Sequence, residues 1–188
     1  NYFRAIFTKQ EISERAFTMT QEAIFTSQGC YTAWSYRRKL LHALKKDLKD
    51  ELNFCNSIGV QMQKNYQIWH HRRCIFEMYA RQVARQVAKE QGEEEVDFAA
   101  MANDPTLKEM FQAEYEFLDI IFKYDAKNYH AWSHKYWLVE RFSLAADQEH
   151  RLFIEQMLDE DVRNNSVWSF RYFVMARKNA MMPFMLHA

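Results

Sequence analysis

The residues best suited to chemistry stand at fixed distances before four of the five tryptophans of this 188-residue chain. Those tryptophans are Trp34, Trp69, Trp132 and Trp168. The position five residues earlier is basic in three copies: Gly29, Lys64, Lys127 and Arg163. The position three residues earlier is tyrosine in three copies: Tyr31, Tyr66 and Tyr129. The position two residues earlier varies: Thr32, Gln67, His130 and Ser166. Cations and hydroxyl, amide and imidazole groups in this pattern can bind a phosphate or a carboxylate. The alternative is that the lysines are solvated loop residues.

The spacing of the four tryptophans indicates an internal repeat. Their offsets are 35, 63 and 36 residues, so a unit of about 35 residues with one insertion of about 28 accounts for all of them. Such a period is typical of stacked helical hairpins, none of which buries its apolar face alone. The predicted fold is therefore an all-α array of helical hairpins. We expect a single domain over residues 1–188, with the insertion near residues 84–104.

Positions that are alike in every copy are predicted to be structural. Asparagine stands four residues before three of the tryptophans, as Asn65, Asn128 and Asn164, while Cys30 replaces it in the first copy. Asparagine there predicts a helix N-cap, which places each tryptophan in the first turns of a helix. The variable positions then lie at helix entrances, where free N–H groups and the helix dipole favour anions.

Apolar periodicity predicts the remaining helices. One begins after Ser13 and ends near Gly29, where glycine could take a left-handed cap. Another runs from Tyr66 to about Lys89, and the insertion after it is expected to be partly helical near residues 96–101. Asp104-Pro105 predicts a further helix start, with Asp as N-cap and Pro in the first turn. The apolar tail at residues 181–188 lies beyond Lys178, where the helical pattern is expected to end.

Composition limits the class of protein. The chain has 25 basic and 25 acidic residues, and this balance argues against a general nucleic-acid surface. Only 3 Gly and 2 Pro disfavour a many-stranded β protein. Aromatic residues make up 16%, so part of the apolar surface is expected to face a partner. No stretch is long and apolar enough to predict a membrane span.

Cysteine usage predicts a reducing, cytoplasmic location, because the three cysteines show no CxxC spacing and suit buried thiols. The first residue is not Met, and we expect the chain to be a portion of a longer protein.

Metal binding by this chain is not predicted. His130 and His134 are one helical turn apart and could hold a metal. However, His134 occupies the same position, two residues after the tryptophan, as Tyr36, His71 and Phe170. That equivalence favours packing between helices. The run His70-His71-Arg72-Arg73 is not expected to form one site, because adjacent helical residues point apart.

Three strings carry a more specific resemblance. They are Asn65-Tyr66-Gln67-Ile68-Trp69-His70-His71-Arg72-Arg73, Asp125-Ala126-Lys127-Asn128-Tyr129-His130-Ala131-Trp132 and Glu160-Asp161-Val162-Arg163-Asn164-Asn165-Ser166-Val167-Trp168. They resemble the prenyltransferase α-subunit repeat family, in particular the α subunits of protein farnesyltransferase and type I geranylgeranyltransferase. The resemblance covers nearly the whole chain apart from the insertion and the final ten or so residues.

That resemblance implies an α-α superhelix, a right-handed superhelical array of hairpins with the outline of a crescent. It also implies an enzyme subunit. With a β subunit, it would transfer farnesyl or geranylgeranyl from an isoprenoid diphosphate to the Cys of a C-terminal CaaX motif. Lys64 would be the catalytic residue at the leaving diphosphate, with Tyr66 and His130 beside it. Gln67 and Tyr31 would contact the peptide. The resemblance implies zinc held by the partner and not by this chain, and it leaves room for magnesium.

Two alternatives remain open on the residues alone. A non-catalytic scaffold of tetratricopeptide type would treat Lys64, Gln67 and His130 as ordinary surface. A Rab-type geranylgeranyltransferase α subunit would differ in its partners and would need no CaaX recognition by Gln67, although the surroundings of Gln67 look unlike that subunit.

Overall fold

The computed structural model describes residues 2–91 and 104–185, and within these ranges every regular element is a helix. The elements are α1 (Tyr2–Thr8), α2 (Glu14–Thr26), α3 (Tyr31–Ala43), α4 (Leu48–Gly59), α5 (Tyr66–Gln91), α6 (Pro105–Tyr124), α7 (Tyr129–Arg141), a 3-10 turn (Leu144–Ala146), α8 (Gln148–Glu160) and α9 (Asn165–Met185). The all-α prediction is confirmed. None of these described helices is both long and apolar enough to cross a bilayer.

The chain divides into two compact units, Asn1–Glu94 and Glu95–Ala188. The first contains α1 to α5, and the second contains α6 to α9. Consecutive helices pack as hairpins in both units: α2 with α3, α4 with α5, α6 with α7, and α8 with α9. The predicted helical hairpins are therefore present, two in each unit.

One hydrogen bond explains the repeated tryptophan. In every hairpin the indole Nε1 donates to the backbone carbonyl six residues earlier, at 2.7–2.9 Å. The acceptors are Gln28, Gln63, Ala126 and Val162. The bond holds the turn between the two helices against the second helix. For Trp34, Trp69 and Trp132, which are buried, it also satisfies an indole N–H that would otherwise be left unbonded.

The predicted asparagine caps are confirmed. The Oδ1 of Asn128 accepts from the backbone N–H groups of His130 and Ala131, at 3.0 and 3.1 Å. Asn65 and Asn164 each accept from the N–H two residues later, at 2.8 and 3.0 Å. Cys30 makes no side-chain cap bond, so α3 begins without this support.

A second repeated feature lies inside each hairpin, where a residue 18 positions before the tryptophan faces the residue two positions after it. The pairs are Ala16 with Tyr36, Glu51 with His71, Glu114 with His134, and His150 with Phe170. The His71 and His134 ring nitrogens lie 2.8 and 2.5 Å from the paired carboxylates. The packing role predicted for His134 is therefore confirmed.

Two details differ from the sequence expectations. Helix α2 ends at Thr26 with Ser27 as its C-cap, so Gly29 is not a helix cap. Helix α9 continues to Met185 rather than ending after Lys178. Helix α5 ends at Gln91, close to the predicted end near Lys89. The short helix expected near residues 96–101 and the tail residues 186–188 lie outside the described residues.

Candidate functional site

Lys64, Tyr66 and Gln67 are positioned by the turn between α4 and α5. Asn65 caps α5 by accepting the backbone N–H of Gln67, and the indole of Trp69 holds the turn through the Gln63 carbonyl. Lys64 therefore ends the turn, while Tyr66 and Gln67 are the first two residues of the helix. Helix entrances of this kind carry partial positive charge.

These three side chains line one open depression of about 510 Å³, called here the entrance depression. Its lining residues are Gln28, Gly29, Gln61, Met62, Lys64, Asn65, Tyr66 and Gln67. It lies between the turn that precedes α3 and the turn that precedes α5. The described part of the chain thus brings an ammonium, a phenol and an amide group to the same concave surface of the first unit.

Exposure and bonding in the depression suit a ligand. Tyr66 is 69% exposed, so its hydroxyl is accessible. The Oε1 of Gln67 is enclosed and makes no hydrogen bond. An enclosed polar atom without a partner costs roughly 1–3 kcal/mol. Rotating the terminal amide exchanges its acceptor and donor atoms, so Gln67 can complete its bonding with a ligand of either kind.

Tyr31 lies next to the depression but does not line it. It is the first residue of α3, two residues after Gly29, and it is 62% exposed. His130 belongs to the second unit, where it is the second residue of α7 and is half-buried against the ring of Tyr129, with ring centroids 5.6 Å apart. The juxtaposition of His130 with Lys64 stays a prediction.

Two lining residues with amide side chains, Gln28 and Gln61, were not identified as site residues from the sequence. Gln28 provides the carbonyl that accepts the indole bond of Trp34, so its distance from the tryptophan could have marked it. Gln61 lies two residues before the indole acceptor Gln63 and has no such signal. Both add amide groups to the depression.

One cluster of candidate metal ligands exists among the described residues, and it does not suit a cation. Glu51, Cys55 and His71 are buried, with ligand atoms within 4.8 Å of one another. Arg37 donates to both oxygens of Glu51, at 2.6 and 2.7 Å, and His71 lies 2.8 Å from one of them. A divalent ion would have to sit beside that guanidinium and compete with it. The cluster is an ion-pair network between helices.

The side chains of the run His70-His71-Arg72-Arg73 lie in different surroundings, as predicted. His71 and Arg72 are buried, and Arg72 donates to Asn56 at 2.7 Å. His70 is exposed and faces the Cys74 thiol at 3.7 Å. These side chains do not form one phosphate site.

The sequence profile "Protein prenyltransferase alpha subunit repeat" matches residues 13–44, 48–79, 111–142 and 147–178. Each matched segment contains one of the four repeated tryptophans.

Among curated proteins, the chain is similar to the protein farnesyltransferase/geranylgeranyltransferase type-1 subunit alpha of Schizosaccharomyces pombe. The two are 40% identical over 77 residues, which cover 41% of this chain and 26% of that protein. The protein of the same name from Solanum lycopersicum is 45% identical over 64 residues, 34% of this chain and 18% of that protein.

Among solved structures, the chain resembles Candida albicans protein geranylgeranyltransferase-I complexed with GGPP. The TM-score is 0.71 at 32% identity, covering 92% of this chain and 50% of that chain. The chain therefore spans about half the length of this relative. Since the four profile matches account for most of its residues, the chain belongs to the protein prenyltransferase alpha subunit repeat family.

Proposed function

We propose that the chain acts as the α subunit of a heterodimeric CaaX protein prenyltransferase. With a β subunit, it transfers farnesyl or geranylgeranyl from the diphosphate to a C-terminal Cys of a protein substrate. The observation that carries this proposal is the meeting of Lys64, Tyr66 and Gln67 in the entrance depression. A scaffold that used its surface only for packing would not require these groups together.

The chemistry of the transfer explains the role of Lys64. As the bond between the isoprenoid C1 and the diphosphate oxygen breaks, negative charge grows on the leaving diphosphate. The Lys64 ammonium stabilises that charge more in the transition state than in the ground state, which lowers the barrier. The Tyr66 hydroxyl, and the imidazole of His130, would donate further hydrogen bonds to the same oxygens.

In the same proposal, Gln67 and Tyr31 bind the peptide. The terminal amide of Gln67 would rotate so that its Nε2–H takes the place of the Oε1 that makes no hydrogen bond in this structure, and this N–H would donate to the terminal carboxylate of the CaaX peptide. Tyr31, exposed at the start of α3, would contact the same peptide. Zinc held by the β subunit would lower the pKa of the substrate thiol, and magnesium could accompany the diphosphate. The enzyme would work in the cytoplasm.

The test is the Lys64→Ala variant of the chain assembled with a CaaX-prenyltransferase β subunit. We expect the single-turnover transfer rate to fall by about 10²–10³, because removing one such donor typically costs that much. Assembly, measured by gel filtration, should be unchanged because Lys64 is exposed.

Lys127→Ala is the matched control. Lys127 occupies the same position in the third repeat, but its ammonium faces Asp161 at 3.7 Å rather than the entrance depression. A Lys64→Ala complex that transfers as fast as the Lys127→Ala complex would remove Lys64 from the mechanism. Failure to form any complex with β would favour a scaffold instead.

A further inference from the structure

The turn before α3 carries a glycine that the repeat itself does not require. In all four turns the indole bonds to the carbonyl six residues earlier. In all four, the N–H of the capping position also donates to the carbonyl three residues earlier, at 2.8–3.0 Å. The turns thus share their backbone hydrogen bonds, yet the position five residues before the tryptophan is Gly29 in the first and Lys64, Lys127 and Arg163 in the others.

Neither packing nor backbone strain explains Gly29. A Cβ added to Gly29 would meet no heavy atom within 4 Å. Its φ lies outside the left-handed region that favours glycine. A side chain would therefore fit, and the three equivalent turns carry long ones. Glycine instead leaves empty the space that a side chain of this turn would occupy.

That space is the entrance depression, which Gly29 and Lys64 both line. All eight lining residues lie in the described part of the chain, and Lys64 is the one cation among them. A lysine at position 29 would place a second ammonium at the opposite turn. Two cations there would attract a multiply charged anion much more strongly than they would attract a single carboxylate.

We propose that Gly29 is a specificity-determining residue of the entrance depression. By leaving this position without a cation, it restricts the depression to one ammonium and so lowers the affinity of the depression for a diphosphate. This inference rests on the function proposed above and deepens it, because it assigns a role to a residue that makes no contact with the reacting atoms.

The test compares Gly29→Lys with Gly29→Gln, which adds a long side chain without charge. Inorganic pyrophosphate is the probe, and its dissociation constant is measured by calorimetry on the purified chain, with or without a bound partner. We expect Gly29→Lys to bind pyrophosphate about tenfold more tightly at low salt, with the gain shrinking towards unity at about 0.5 M salt. Gly29→Gln should stay within about twofold of the parent chain, since it adds no charge.

Equal affinities for the lysine and glutamine variants would overturn the inference. Thermal unfolding of both variants should match the parent, because the added Cβ meets nothing. Lys64→Ala separates this inference from the proposed function. If Lys64→Ala weakens pyrophosphate binding while Gly29→Lys changes nothing, the role of Gly29 alone is lost. If neither variant changes the dissociation constant of pyrophosphate, the depression is not an anion site, and the role proposed for Lys64 is wrong as well.

Discussion

At the scale of single residues, two buried bases stand out in the second unit. The Lys135 ammonium is enclosed by aromatic faces, 4.0 Å from the centroid of Phe153 and 4.7 Å from that of Tyr115. Burial lowers the pKa of Lys135 to about 8. His150 lies nearby, and burial, followed by the positive charge of Lys135, lowers the pKa of His150 to about 3. The fold therefore favours the neutral form of His150.

This gives a pH prediction for His150. Its folded pKa of about 3 lies below its ordinary value of 6.5, so the unfolded chain binds more protons between those limits. Stability should thus decrease as pH falls from 6.5 towards 3, by about 2 kcal/mol at pH 5. His150→Leu should lose this part of the acid sensitivity, measured as the change in unfolding midpoint between pH 7.5 and pH 5.

The exposed His42, changed to Leu, serves as the control for that measurement. A His150→Leu chain that loses stability with acid as steeply as the His42→Leu chain would show that His150 does not govern the effect.

At the scale of elements, the repeat copies differ in whether a side chain caps the N-terminus of the second helix. Helices α5, α7 and α9 each begin with an asparagine whose Oδ1 accepts a backbone N–H. Helix α3 begins after Cys30, which provides no such bond. This entrance also carries Tyr31, so a poorly capped helix presents one of the proposed peptide contacts.

Cys30→Asn should therefore stabilise the chain. An N-cap side chain is worth about 1 kcal/mol, which corresponds to an increase of about 2–4 °C in Tm for a chain of this size. The reverse change, Asn128→Cys, should lower Tm by a similar amount, because it removes the bonds to His130 and Ala131. Calorimetry that finds both variants unchanged would show that capping does not limit the stability of these helices.

At the scale of the whole molecule, a buried charge network joins the two hairpins of the first unit. Arg37 on α3 donates to Glu51 on α4 through two bonds, and it also donates to Thr20 on α2 at 3.2 Å. His71 on α5 completes the network. Burial raises the pKa of the Glu51 carboxyl, but hydrogen bonds from His71 and Arg37 outweigh burial and hold that pKa below its ordinary value. The stabilisation is thus lost as pH falls through the lowered pKa of Glu51.

A single variant and a double variant test this network. Glu51→Leu should cost about 3–5 kcal/mol, because it leaves the Arg37 guanidinium buried without its carboxylate. Adding Arg37→Met should recover most of the loss, since an apolar pair of similar volume replaces two buried charges. Denaturant unfolding gives both values, and a double variant less stable than Glu51→Leu alone would contradict the coupling.

Most elements were predictable because their signals are local. The asparagine caps and Asp104-Pro105 act within one turn of helix, and each predicted start lies within one residue of the observed start. The period of the tryptophans can be counted along the chain without knowledge of contacts. The predicted end of α2 was wrong because its cap is formed by the backbone N–H of Ser27. A backbone cap of this kind does not depend on the residue type and leaves no signal in the sequence. The buried pairs were missed because their members lie 20 residues apart on facing helices.

The sequence by itself determined the helical class, the four repeats and the family, because repeated local patterns survive without knowledge of contacts. Only the tertiary structure decided which side chains share a surface. Packing two hairpins together places Gly29, from one turn, beside the same depression as Lys64, from another. The same packing buries Arg37 against Glu51. Such neighbours are set by the direction in which each side chain leaves its helix and by what packs against it, and a linear chain records neither.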